Sequence, residues 1–251
     1  MTTIKEKLKN KIPSVGTWMQ IPSPIIAEIL SANGYEWVTL DLEHGAFSLN
    51  LIPDIIRAIE IHGVIPFIRI AENKSKDIKQ ALDAGAKGII APMIETKKQA
   101  EDFISWSSYP PVGTRGIGFS NANLYGKYFD NYFPNINNDL VRIIQIESIN
   151  ALDEIDSIFS VPGLDAAMIG PYDLSGSMNL TGQFDNTDFQ KVIHRFQEAA
   201  NRANLPLGIH IIQPDLQLLQ KEIDSGKTFI AFSTDAIMLN QISNIKRNQK
   251  S

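Results

Sequence analysis

Short apolar runs recur along the chain, each followed by a polar turn and then by apolar residues at helical spacing. Eight such runs stand out, at 15–19, 37–40, 64–69, 87–92, 141–146, 164–169, 205–211 and 228–232. Runs of this kind, rich in Val and Ile, suit strands buried on both faces. Helical patterns cover 24–31, 49–61, 77–84, 97–107, 151–159, 188–201, 216–224 and 236–245. Gly34, Gly63, Gly85 and Gly226 follow four of them, a helix C-terminus signal. Strands that alternate with helices pair in parallel through right-handed crossovers. Eight repeats favour an α/β fold closed into a (β/α)8 TIM barrel over an open doubly wound sheet. No Gly-x-Gly-x-x-Gly follows a strand, which weakens a dinucleotide-binding reading. Pro66 is a mild objection to its strand, tolerable near the strand's start.

The rhythm breaks once, between 109 and 138, where Pro and Gly and then Asn and aromatic residues predominate. At most a short helix is expected there. Loops of that length are usually functional or disordered, and the aromatics argue against disorder. No linker or low-complexity tract interrupts the chain, so a single domain over 1–251 is expected. A length of 251 residues is ordinary for such a barrel.

A net charge of -5 argues against a nucleic-acid-binding surface. The chain has no cysteine, which removes disulfides, zinc–thiolate sites and cysteine nucleophiles. Residues 1–13 are polar and Lys-rich, with no apolar leader, and no apolar run approaches membrane-spanning length. A cytoplasmic protein with no membrane partner is expected.

The ionisable residues fall at one kind of position. Asp41, Glu43 and His44 follow the second strand, Arg69 ends the third, Glu147 ends the fifth and Asp173 follows the sixth. Any one of these carboxylates could simply cap the next helix. In a barrel, however, all strand C-termini converge on one face, where active sites lie. Glu147 and Asp173 could together hold a hard divalent cation, Mg2+ or Mn2+ rather than Zn2+, with Co2+ a further option. The turn Gly170-Pro171-Tyr172 could offer backbone N–H groups to a substrate carboxylate. Arg69 is a permanent cation suited to a developing oxyanion, and His44 is a base near neutral pH.

Residues 37–48, 66–69, 81–86, 110–118, 145–147 and 170–175 resemble, in order and spacing, those of the HpcH/HpaI family. These are class II pyruvate aldolases of the phosphoenolpyruvate/pyruvate barrel superfamily, such as 4-hydroxy-2-oxoheptanedioate aldolase and 2-dehydro-3-deoxyglucarate aldolase. The resemblance implies a divalent-metal-dependent carbon–carbon lyase that reversibly cleaves a 4-hydroxy-2-oxo acid to pyruvate and an aldehyde. It implies that Glu147 and Asp173 bind the metal, and that Gln145 and the backbone at Tyr172 and Asp173 hold pyruvate. His44 would then be the general base, Arg69 the enolate stabiliser, and Asp83 the anion that raises the basicity of His44. Taken alone, Asp83 reads as a solvated residue near a helix end. The family forms hexamers, typically by swapping the last helix.

Tyr172 stands where many relatives carry a small residue, and its ring could narrow the mouth. His210, at the end of the seventh strand, reads as a satisfied core histidine more readily than as a substrate contact. Two other functions compete. A citrate lyase β-like enzyme acting on an acyl-CoA thioester would need a basic cleft, and no Lys/Arg cluster falls at a strand end. A non-catalytic binding protein on the same fold would have no need of so many polar residues at one mouth.

Overall fold

The computed structural model describes residues 2–244. Eight parallel strands, β1 (Ser14–Met19), β2 (Trp37–Asp41), β3 (Ile65–Arg69), β4 (Gly88–Ala91), β5 (Val141–Ile146), β6 (Ala166–Ile169), β7 (Leu207–Ile211) and β8 (Phe229–Thr234), close into one barrel in sequence order. This is the expected TIM barrel. Pro66 takes its place in β3 opposite Val38 of β2, one residue inside the strand.

Alternation along each strand gives the barrel two different surfaces. The outward side chains, among them Val38, Leu40, Ile68, Ile89, Ile144 and Ala167, join the helices in the larger apolar core. The inward ones include Trp37, Phe67, Ile90, Ile143, Met168 and Phe229. Three aromatic rings fill the lower barrel: Trp37 stacks on Phe229 at 4.3 Å and on Phe67 at 5.4 Å between centroids. Such rings fit only where facing strands carry no side chain. A Cβ on Gly16 would overlap the Trp37 indole, and one on Gly88 would overlap Phe67. The barrel is thus a packed core rather than a pore.

The helices wrap this barrel in order. They are α1 (Ile4–Lys9), α2 (Pro24–Ser31), α3 (Ile52–Glu60), α4 (Ser75–Asp83), α5 (Lys97–Ser107) and α6 (Phe129–Asp139). There follow α7 (Ile155–Phe159), α8 (Pro171–Ser177), α9 (Thr187–Ala203), α10 (Leu216–Asp224) and α11 (Asp235–Ser243). Four differ from expectation, the first being the helix expected over 151–159, which is a 3-10 helix over Ile149–Glu154 followed by the short α7. The N-terminal segment is helical: Thr3 and Glu6 form a reciprocal capping box, and Ile4 and Leu8 plug the bottom of the barrel interior. The irregular segment ends in an eleven-residue helix, α6, with Pro134 inside it. The turn after β6 is already the first turn of α8, with Pro171 at its start. The final helix was expected to reach 245, which lies outside the described residues.

Candidate active site

Above the aromatic layer, alternation brings Trp18 of β1, Arg69 of β3, Gln145 of β5 and His210 of β7 to the barrel mouth. Four residues from alternate strands make one layer of a TIM barrel, normally of branched apolar side chains. Here the layer is polar and aromatic, and it forms a floor. The Arg69 guanidinium lies 4.4 Å over the Trp18 ring, and the His210 ring stacks on Trp18 at 5.1 Å.

Asp41 does not cap the following helix, whose N-cap is Leu51. Its Oδ1 accepts the Glu43 and His44 backbone N–H groups, closing a turn at the strand end. It also grips Arg69: Nε donates to Oδ1 at 2.9 Å and one terminal nitrogen to Oδ2 at 2.8 Å. The other terminal nitrogen pairs with Glu43 at 2.7 Å. Burial works to raise the Asp41 pKa, but the hydrogen bonds and charge of Arg69 outweigh it and hold the carboxyl below its usual value. Two of the five guanidinium N–H groups are hydrogen-bonded to Asp41, and Glu43 adds an ion pair without a hydrogen bond of its own. Burial raises the Glu43 pKa, with Arg69 opposing the shift.

Glu147, just past β5, is 2% exposed. One oxygen accepts the Met93 N–H at 2.8 Å, and the other accepts Gln145 Nε2 at 2.5 Å. Met93 adopts a left-handed backbone, φ 51°, to turn that N–H onto the carboxylate. Burial pushes the Glu147 pKa up to about 7; the Met93 N–H opposes this, and the charges of Glu43 and Asp173 add to it. Asp173 is exposed, in the first turn of α8, near enough for its charge to be felt. The Gln145 Oε1 is buried without a protein donor. Any side chain at Gly170 would strike Glu147 and Gln145, so the backbone itself walls this corner. A buried carboxylate with two acidic neighbours suits a cation. Among the described residues no three His, Cys, Asp or Glu side chains form a ligand group. Two carboxylates fit a hard ion that keeps waters for substrate oxygens to displace.

Residues 14–241 match the family model described as HpcH/HpaI aldolase/citrate lyase. The chain belongs to this family. It is 34% identical to the hydroxypyruvate/pyruvate aldolase of Roseobacter denitrificans over 95% of this chain and 93% of that protein. It is 33% identical to the 2-keto-3-deoxy-L-rhamnonate aldolase of Klebsiella pneumoniae, covering 90% of this chain and 85% of that one. The crystal structure of an HpcH/HpaI aldolase/citrate lyase family protein from Burkholderia cenocepacia superimposes with a TM-score of 0.90. The two are 28% identical and the match covers 97% of this chain and 96% of that chain.

Of the residues that the HpcH/HpaI resemblance singles out, His44, Arg69, Gln145, Glu147 and Asp173 lie at the strand-end face, with Tyr172 beside them. His44 is exposed on the turn closed by Asp41. Tyr172 is 53% exposed and packs edge-on against Phe184 at 4.9 Å. Asp83 is not with them. It ends α4, and a helix that leaves the strand-end face finishes at the opposite face of the barrel. There Asp83 accepts a hydrogen bond at 2.9 Å from buried Arg115, whose other terminal nitrogen donates to Tyr132. Within one chain Asp83 therefore does not pair with His44.

Sequence reasoning missed three residues. Trp18 supports Arg69, Gln20 donates to Asp41 Oδ2 at 3.2 Å, and Asp235 accepts the Gln20 and Ile21 N–H groups. The signal was available for Gln20, the first polar residue after a strand. Asp235 looked like an ordinary helix start and also ties the end of β1 to α11.

Proposed function

We propose that this chain is a divalent-metal-dependent class II aldolase that cleaves 4-hydroxy-2-oxo acids of the 2-keto-3-deoxy sugar acid type to pyruvate and an aldehyde. The observation that carries this reading is the cluster of Glu147, Asp173 and Glu43 facing Arg69 at the strand ends. The names of the relatives support it. Glu147 and Asp173 would hold the ion, Mg2+ or Mn2+. When bound, it supplies a Lewis acid that polarises the 2-oxo group.

The chain's own residues do the rest. Gln145 and the free first-turn N–H groups of Tyr172 and Asp173 hold the keto acid and its carboxylate. His44 takes the proton of the 4-hydroxyl. The electron pair that the departing proton leaves on oxygen forms the second bond of the aldehyde carbonyl, the C3–C4 bond breaks, and its pair passes into the enolate of pyruvate. The Arg69 N–H groups that Asp41 leaves free stabilise the enolate oxygen. A proton returned to C3 completes pyruvate, so atoms balance without an external reductant or oxidant.

Several features support assembly as a homo-oligomer, a hexamer by family resemblance. Ile242 is 85% exposed and Leu239 50% on α11, and Phe119 and Tyr125 stand out of the long loop. Asp83 acts on His44 in this reading only across a contact between copies. No helix among the described residues is long and apolar enough to cross a membrane, and we place the enzyme in the cytoplasm.

Retro-aldol assays over a panel of 4-hydroxy-2-oxo acids, with lactate dehydrogenase reporting pyruvate, test the reading. Activity should vanish in EDTA, return with Mg2+ or Mn2+, and survive borohydride with pyruvate. Failure of every substrate, together with no metal-dependent deuterium exchange at C3 of pyruvate, would reject it. Turnover of acyl-CoA thioesters alone would replace it.

A further inference from the structure

Three members of the floor layer have evident work. Arg69 is the cation, Trp18 backs it, and Gln145 donates to Glu147. His210 has none in the reaction as written, yet its ring is held as firmly as theirs. It stacks on Trp18 with 18° between the planes. Its Nε2 lies 3.3 Å from the Ser233 carbonyl oxygen, which can only accept. The proton therefore sits on Nε2, and Nδ1 carries a lone pair. Burial pushes the imidazole pKa down to about 4; the Ser233 carbonyl opposes this, and the charge of Arg69 adds to it. The ring is neutral at working pH. Nδ1 makes no hydrogen bond among the described residues.

We propose that His210 is a specificity residue that accepts a hydrogen bond from a substrate hydroxyl next to a reacting carbon. A fixed, neutral lone pair repels a carboxylate and has nothing to offer a methyl group. Among 2-oxo acids and aldehydes, the donor it fits is a hydroxyl. That group can come from C3 of a 3-hydroxy-2-oxo acid or from the carbon beside the aldehyde carbon. His210 shares its layer with Gln145, which favours the keto acid as the source. A site built to pair with a hydroxyl discriminates against a partner lacking it, because its own acceptor is then left unpaired. This inference rests on the aldolase reading.

The test compares aldol addition by Mg2+-loaded wild type, His210→Phe and His210→Gln. One arm sets 3-hydroxypyruvate against pyruvate, each with propanal. The other sets lactaldehyde against propanal, each with pyruvate. Phenylalanine keeps the stack and loses the acceptor, so kcat/KM for the hydroxylated partner should fall roughly tenfold relative to its unhydroxylated counterpart. Glutamine, which keeps an acceptor, should retain part of the preference. A loss confined to the first arm assigns the keto acid, and one confined to the second assigns the aldehyde. An equal loss in all three reactions, or no loss, overturns the proposal. If His210→Phe does not fold, His210→Leu is read in the same way. Calorimetric titration of the Mg2+-loaded proteins with each keto acid gives the same comparison without turnover. A protein that binds 3-hydroxypyruvate preferentially but cleaves nothing fails as an aldolase and still supports His210. A binding ratio unchanged by loss of the acceptor fails the proposal alone.

Discussion

A carboxylate buried beside two others must take up a proton or a cation, and Glu147 is in that position. Its pKa of about 7 in the folded chain lies above the ordinary value of 4.5. Between those values the folded state binds more protons than the unfolded one, so stability falls as pH rises through the window and levels off above it. Metal-free protein should lose about 3 kcal/mol this way, and Glu147→Gln should flatten the curve. Denaturant unfolding in EDTA at about pH 5 and about pH 8 measures both; parallel curves for the two proteins would count against the assignment. Because the same proton competes with the ion, Mn2+ affinity should rise up to about tenfold per pH unit below 7 and then level off. Titration calorimetry with Mn2+ checks this, and Asp173→Ala should weaken binding at every pH. Arg69 makes a different prediction. Arg69→Lys keeps the charge but cannot bridge Asp41 and Glu43 as a planar fork. Steady-state kinetics should show kcat depressed strongly, with a smaller change in KM. A large rise in KM beside normal C3 exchange would instead place Arg69 on a substrate carboxylate.

Elements were legible where pattern and length agreed. All eight strands stand out in the sequence as apolar runs, and charged residues fall at the ends of β2, β3 and β5. Other elements were hidden for physical reasons. The six-residue α1 offers only Ile4 and Leu8 as a periodic signal, and its burial depends on a barrel bottom that no local pattern displays. The floor was half legible. Arg69 shows itself by charge, but Trp18 and His210 become site residues only once strand alternation is known to point them inward. Two substitutions probe these elements. Leu8→Ala should cost about 2–5 kcal/mol by denaturant unfolding while leaving kcat near wild type, since the plug lies beneath the aromatic layer. Activity falling in step with stability at low temperature would show that the plug and the mouth are coupled.

At the scale of the whole molecule, a barrel has two faces, and helix direction decides which one a residue reaches. Asp83 illustrates both the reach and the limit of the sequence. Its position near a helix C-terminus was legible and already implied the face opposite His44. The family resemblance pointed to a shared role instead. Contact between copies would reconcile the two. The exposed apolar side chains of α11 are consistent with such contact, because large exposed patches rarely stay bare on stable monomers. Ile242→Asp should therefore shift sedimentation velocity profiles towards smaller species and lower the specific activity. A wild type that sediments as a monomer at every concentration would remove Asp83 from the mechanism.

The glycines facing the aromatic layer have a consequence for how such a sequence can drift. Gly16 and Trp37 occupy one volume between them, as do Gly88 and Phe67. Neither glycine can acquire even a methyl group while its ring remains, and losing the ring alone leaves a hole in the barrel. Each pair therefore behaves as a single heritable character: a lineage that enlarges the glycine must have shrunk the aromatic already or must shrink it soon after. Of the floor above, only Trp18 shares the buried cluster of these rings. The floor's chemistry can diverge from one descendant to the next while the paired positions beneath stay locked together.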